Sequence, residues 1–176
     1  SHSVFAQFDT FKWVETNPSA SWAPRAGHQV LNVSGVFYLI AGRSPLDLPI
    51  PGASIIWGDV WKSDDQGQTW TMVLADAESA GLWKNRSYFQ AVEKGGYMYI
   101  IGGQNFIVEN NECPPFPVTP PCPEVVANSE FFNDVWRSND GINWESMTLA
   151  APWEGRAGLS AVALGNDLYV MAGSQN

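Results

Sequence analysis

Charge is what this sequence has least of. Only 15% of its 176 residues are Asp, Glu, Lys or Arg, and 9 basic residues face 18 acidic ones, for a net charge of −9. A surface of that sign repels nucleic acid and anionic membranes, so neither is expected as a partner. Long apolar runs are missing too: stretches such as Tyr97 to Ile101 last a few residues, against the ~20 that a membrane-crossing helix needs. Histidine is reduced to His2 and His28 and cysteine to Cys113 and Cys122; the two thiols have no nearby His or second Cys pair to complete a tetrahedral site, so no metal or cofactor is expected. There is no initiator Met and no signal-like apolar stretch; Ser1 is as compatible with a removed leader as with an artificial start. What the chain has in quantity is Gly (16), Pro (12) and aromatic residues (13%), within a hydrophobic content of 45%. That mixture points to many short strands joined by turns, in a length suited to one domain.

Cys113 and Cys122 bracket the Pro-rich segment 114–121. Two cysteines so close, with none elsewhere, read most simply as a disulfide pinning one loop, metal binding being the weaker alternative. Two N-x-S sequons, at Asn32 and Asn85, add to that reading, and together they point to a secreted glycoprotein.

The strongest signal is internal repetition. Three segments superimpose: Trp22-Ala23-Pro24-Arg25, Trp83-Lys84-Asn85-Arg86 and Trp153-Glu154-Gly155-Arg156. Each leads into two runs that alternate with period 2, the strand signature. The second run ends in a small pair, Ala41-Gly42, Gly102-Gly103 or Ala172-Gly173, and Arg stands 17 residues before the last Gly in all three copies. A second unit lies between these: Asp59-Val60-Trp61 continuing to Trp70, and Asp134-Val135-Trp136 continuing to Trp144. A worn third copy opens the chain, placing Phe5 on Trp136, Asp9 on Asp140 and Trp13 on Trp144 without a gap. Twelve strands are expected, four per repeat, with variable length confined to two insertion loops at 44–58 and 104–132.

This pattern resembles the kelch repeat, of the superfamily of the galactose-oxidase central domain. The resemblance covers residues 1–176 as a single unit and implies an all-β fold, a β-propeller of four-stranded blades. About three blades fit in the chain, which implies half of a ring completed by a second copy, or a segment of a larger propeller. The copper site of galactose-oxidase-type propellers is not implied, because its His, Tyr and Cys-modified Tyr set is not available here. The hairpins Ser63-x-Asp65-x-Gly67-x-x-Trp70 and Ser138-x-Asp140-Gly141-x-x-Trp144 are similar to the Asp-box of sialidase-like propellers. Their Ser and Asp suit turn hydrogen bonds, Gly suits positive φ, and Trp packs beneath the turn, so a structural role is expected of them.

The W-x-x-R positions carry two readings. Arg25, Arg86 and Arg156 hold backbone carbonyls between blades or stack on Trp; or else, with Trp22, Trp83 and Trp153, they ring a central pocket suited to a sugar or an acidic peptide. The expected function is a non-catalytic extracellular module for binding or assembly, recognising protein or glycan. The alternative is a carbohydrate-active propeller, a lectin or a sialidase-like hydrolase, but no second carboxylate marks an acid–nucleophile pair beside Glu154.

Overall fold

The computed structural model describes residues 14–48, 50, 52–110, 112–115, 117, 121 and 125–175. Every regular element in them is a β-strand. β1 (Gln29–Val33), β2 (Val36–Pro45), β3 (Ser54–Ser63) and β4 (Thr71–Leu74) form an antiparallel sheet in chain order. A second four-stranded sheet combines β5 (Gln90–Lys94), β6 (Tyr97–Ile101), β9 (Val135–Ser138) and β10 (Glu145–Thr148) in the same sense. Between β6 and β9 the chain makes a separate hairpin, β7 (Ile107–Asn110) with β8 (Val125–Asn128). The third sheet has two strands, β11 (Ala157–Leu164) and β12 (Asp167–Ser174). The inner strands β1, β5 and β11 stand side by side in that order.

The small pair at the end of each inner hairpin has a steric cause. Within β2 the chain bends at Ala41 and Gly42, at φ 54° and 107°, and the ladder to β3 shifts register there. A Cβ on Gly42 would meet Ala26 O and His28 Cβ at 2.9 Å, and one on Gly103 would meet Phe89 Cβ at 2.7 Å. The second position therefore requires glycine, whereas the first only has to tolerate positive φ, as Ala41 and Ala172 do.

The sheets pack face to face. Tyr38, Ile40 and Val60 from the first meet Ala91, Met98, Ile100 and Trp144 from the second. Ile101 and Val135 from the second meet Leu159 from the third. Side chains such as Ile40 and Ile100 are fully buried, each worth about 1.5–3 kcal/mol of transfer free energy. Backbone bonds repeat across these junctions: Gly42 N donates to Arg86 O at 3.0 Å, and Gly103 N to Arg156 O at 2.9 Å.

Two expectations change. Twelve strands are present among the described residues, but they are a different twelve, since β7 and β8 arise inside 104–132. The expected hairpin at residues 3–13 lies outside the described residues. The segment 44–58 is in part ladder rather than loop, since β2 and β3 pair out to Pro45 and Ser54 and only 46–53 lie between them. Backbone pairing satisfies donors and acceptors that a free loop would leave to water.

Candidate functional site

Two of the W-x-x-R arginines, Arg25 and Arg86, form clasps inside their own sheets. Arg25 Nε donates to Ala23 O and its Nη1 to Ala41 O, while Nη1 and Nη2 bind Asp59 bidentately at 2.6 and 3.0 Å. Arg86 repeats this on Lys84 O, Gly102 O and Asp134, the last at 2.7 and 2.8 Å. The Trp of each Asp-Val-Trp completes the motif, Trp61 Nε1 donating to Asp59 and Trp136 Nε1 to Asp134. Arg86 is wholly buried, between the rings of Trp83 and Phe132. Bidentate charge-assisted bonds of this kind hold the segment that leads into the first strand of a sheet to the start of its outer hairpin.

For Trp83 and Arg86 that burial counts against the pocket reading. Trp83 is 1% exposed and Arg86 has no exposed surface, so no ligand reaches either. Trp22 lies edge-on to Trp61 and Trp70, and Trp83 lies edge-on to Trp144; Trp153 joins the junction of the second and third sheets. The carbonyl reading is closer, although the arginines grip carbonyls of their own sheet. Arg156 differs from the other two. It holds Glu154 O and Ala172 O, and no carboxylate pairs with it among the described residues.

A different set of side chains lines an open cleft of ≈ 420 Å³. The residues that follow each glycine pair, Arg43, then Gln104 and Asn105, then Gln175, converge there from all three repeats, with Phe106 and Phe131 beside them. The β7–β8 hairpin supplies one wall through Ala127, Asn128 and Ser129. Arg43 is half-buried, donates to Gly52 O at 3.2 Å and faces the Tyr88 ring at 6.0 Å. Gln104 makes only a long 3.5 Å side-chain bond to Ser129 Oγ. No Asp or Glu is among the described residues of the lining.

No family model matches the chain, and no curated protein matches it. Among solved structures it is similar to that of YjhT, with a TM-score of 0.58 at 18% identity, covering 92% of this chain and 38% of YjhT. At that identity the likeness speaks for the fold alone. The chain is a β-propeller segment. It spans well under half of YjhT's length, with two complete blades and the inner hairpin of a third.

In the two Asp-box-like hairpins the Ser, Asp and Trp side chains bond within their own turns. Asp65 takes hydrogen bonds from Ser63 Oγ, Thr69 N and Thr69 Oγ1, and Gly67 N donates to Ser63 Oγ. Trp70 Nε1 closes the turn on Gly67 O. Asp140 is bound likewise by Ser138, Ile142 and Asn143, Gly141 N donates to Ser138 Oγ, and Trp144 Nε1 reaches Gly141 O. The Thr69 hydroxyl and backbone N–H, followed by Ser63, hold the Asp65 carboxyl down at about 2. For Asp140, desolvation pushes upward but the Asn143 and Ile142 donors prevail, leaving it lowered. His28 stands where Phe89 and Leu159 stand in the other blades; burial, then the Arg25 charge, lowers its pKa.

The sequons differ in setting. Asn32 is exposed on β1, whereas Asn85 is half-buried with Nδ2 donating to Asp76 at 3.1 Å. Cys113 is described but Cys122 is not, so the expected pairing falls outside the described residues. The cleft residues escaped the sequence reading. Their signal was positional: each follows a glycine pair, where the repeats agree in frame but not in residue.

Proposed function

We propose that this propeller segment is a non-catalytic binding module of the kelch type that takes a glycan in the cleft behind the glycine pairs. The cleft carries this reading. It brings a guanidinium and several carboxamides together with two Phe rings, groups suited to hydroxyl hydrogen bonding and to stacking on a sugar face. Its ≈ 420 Å³ falls in the range of about 300–1,000 Å³ usual for small-ligand sites. A pocket of that shape favours a saccharide over a flat protein surface.

Hydrolysis fits less well. A glycosidase needs two carboxylates at the scissile bond; Asp65 and Asp140 are engaged in their turns, and Asp59 and Asp134 in the clasps. An extracellular setting accompanies the proposal, with Cys113 and Cys122 paired and a glycan on Asn32. The test is a panel of immobilised glycans probed with the chain, followed by a turnover assay on any that bind. Saturable binding without turnover is expected. Silence across the panel removes the glycan, and hydrolysis removes the non-catalytic assignment.

A further inference from the structure

The residue two places after each W-x-x-R arginine is Gly27, Tyr88 or Gly158. All three have left-handed backbone, at φ 63°, 53° and 64°. Glycine adopts that conformation freely, whereas a bulky aromatic residue there is an outlier whose strain the surroundings must hold. Filling space does not account for the exchange. A Cβ on Gly158 would meet nothing within 4 Å, so the equivalent position in the third blade goes unfilled, and Tyr88 itself stays 39% exposed.

What fixes Tyr88 is its backbone. Its N–H donates to Gly27 O at 2.9 Å, and its carbonyl accepts from Gly158 N at 2.8 Å. The residue is thereby pinned between its own equivalents in both neighbouring blades, where β1, β5 and β11 come together. Gly27 leaves room for it: a Cβ there would lie 2.8 Å from Tyr88 N and 3.0 Å from Tyr88 Cδ1. The ring also adjoins the cleft. Ser87, the preceding residue, lines that cleft, and so does Arg43, whose guanidinium stands 6.0 Å from the centre of the Tyr88 ring. Tyr88 is not part of the lining, so a ligand confined between Arg43 and the rings of Phe106 and Phe131 leaves it untouched.

We infer that Tyr88 is a second stacking platform and that the site takes a saccharide of at least two units. One unit lies in the cleft against Phe106 and Phe131, the next lies on the Tyr88 ring, and Arg43 donates to hydroxyls between them. An exposed aromatic face suits the apolar C–H face of a pyranose. The guanidinium fork has donors beyond the one on Gly52 O. A ring already held in place loses little freedom when a sugar settles on it, which is what the strained backbone secures. The inference rests on the glycan reading of the cleft and adds the length of the ligand to it.

Titration calorimetry compares three matched pairs of probes: glucose with cellobiose, galactose with lactose, and N-acetylglucosamine with chitobiose. In the parent chain at least one disaccharide binds about fivefold or more tighter than its monosaccharide, the increment of one stacking contact. Tyr88→Gly installs the residue of the other two blades. It abolishes that preference while monosaccharide binding persists, and its unfolding midpoint in urea does not fall, because glycine is unstrained at φ 53°. Tyr88→Phe keeps the preference. Equal affinities within every pair for the parent chain, or a preference that survives Tyr88→Gly, overturn the inference and leave the cleft reading standing. A Tyr88→Gly chain that unfolds at lower urea with its preference intact assigns the ring to packing instead. Loss of the preference in Tyr88→Phe overturns stacking as its source. Silence toward all six probes and across the wider glycan panel removes the glycan reading, and this inference with it.

Discussion

Removing one carboxylate tests the clasp quantitatively. In Asp134→Ala the Arg86 guanidinium keeps its bonds to Lys84 O and Gly102 O but loses both contacts to Asp134. Arg86 is fully buried and the Asp134 side chain only 15% exposed, so the guanidinium loses its partner where little solvent reaches it. Leaving a buried charge uncompensated costs about 3–5 kcal/mol. With a urea m-value of about 2 kcal/mol/M, the unfolding midpoint should fall by roughly 2 M. Lys84–Glu130 supplies the internal comparison, because its side chains are 50% and 43% exposed at a similar 2.7 Å. Glu130→Ala should cost about 0–1 kcal/mol. The assay is urea unfolding at neutral pH followed by tryptophan fluorescence, with Arg86→Met, Asp134→Leu and the double variant of the two forming a double-mutant cycle. The double variant should cost less than the two single changes added together, since neither charge is then left alone. If Asp134→Ala proves no worse than Glu130→Ala, the clasp does not hold the blade together.

Three further outcomes follow from the same geometry. Asp65 titrates at about 2 in the folded chain, below the ~3.9 of an unfolded Asp, so its stabilising effect is complete above about pH 4 and is lost as pH falls toward 2; Asp65→Asn should flatten the melting temperature across that window. Gly58→Ala would place a Cβ 1.7 Å from Asn85 Oδ1, whose amide is held by Asp76, and should cost about 1–3 kcal/mol in urea unfolding. Mass spectrometry of protein made in a glycosylating host should find Asn32 modified and Asn85 bare, because Asn32 is exposed whereas Asn85 is half-buried with its Nδ2 packed on Asp76, leaving little room for a glycan; occupancy at Asn85 alone would contradict the packing.

How much of this was legible beforehand depends on sequence range. The frame of Arg, two alternating runs and a small Gly pair gave the inner hairpins, because sterics and period-2 patterning are local. The Asp-box turns were readable for the same reason: Ser63, Asp65, Gly67 and Trp70 bond to one another. The clasps were not, although both partners had been singled out. Arg25 and Asp59 lie 34 residues apart and Arg86 and Asp134 lie 48 apart, so the intervening insertions hid a constant contact behind a variable spacing. Strands β7 and β8 have no repeat copy and flank a Pro-rich stretch, leaving neither periodicity nor repetition to mark them. The cleft is composed of residues where the repeats diverge, and internal repetition is blind to such positions.

The most direct measurement compares glycan binding between two variants of the chain. Arg43→Ala/Gln104→Ala removes donors from the cleft, while Trp22→Ala alters a W-x-x-R position packed on Trp61 and Trp70. Titration calorimetry with a glycan that binds the parent chain should show affinity lost by about tenfold or more in the cleft variant, as for two lost polar contacts, and retained in Trp22→Ala. Binding that survives in the cleft variant but disappears in a folded Trp22→Ala would contradict the placement of the site.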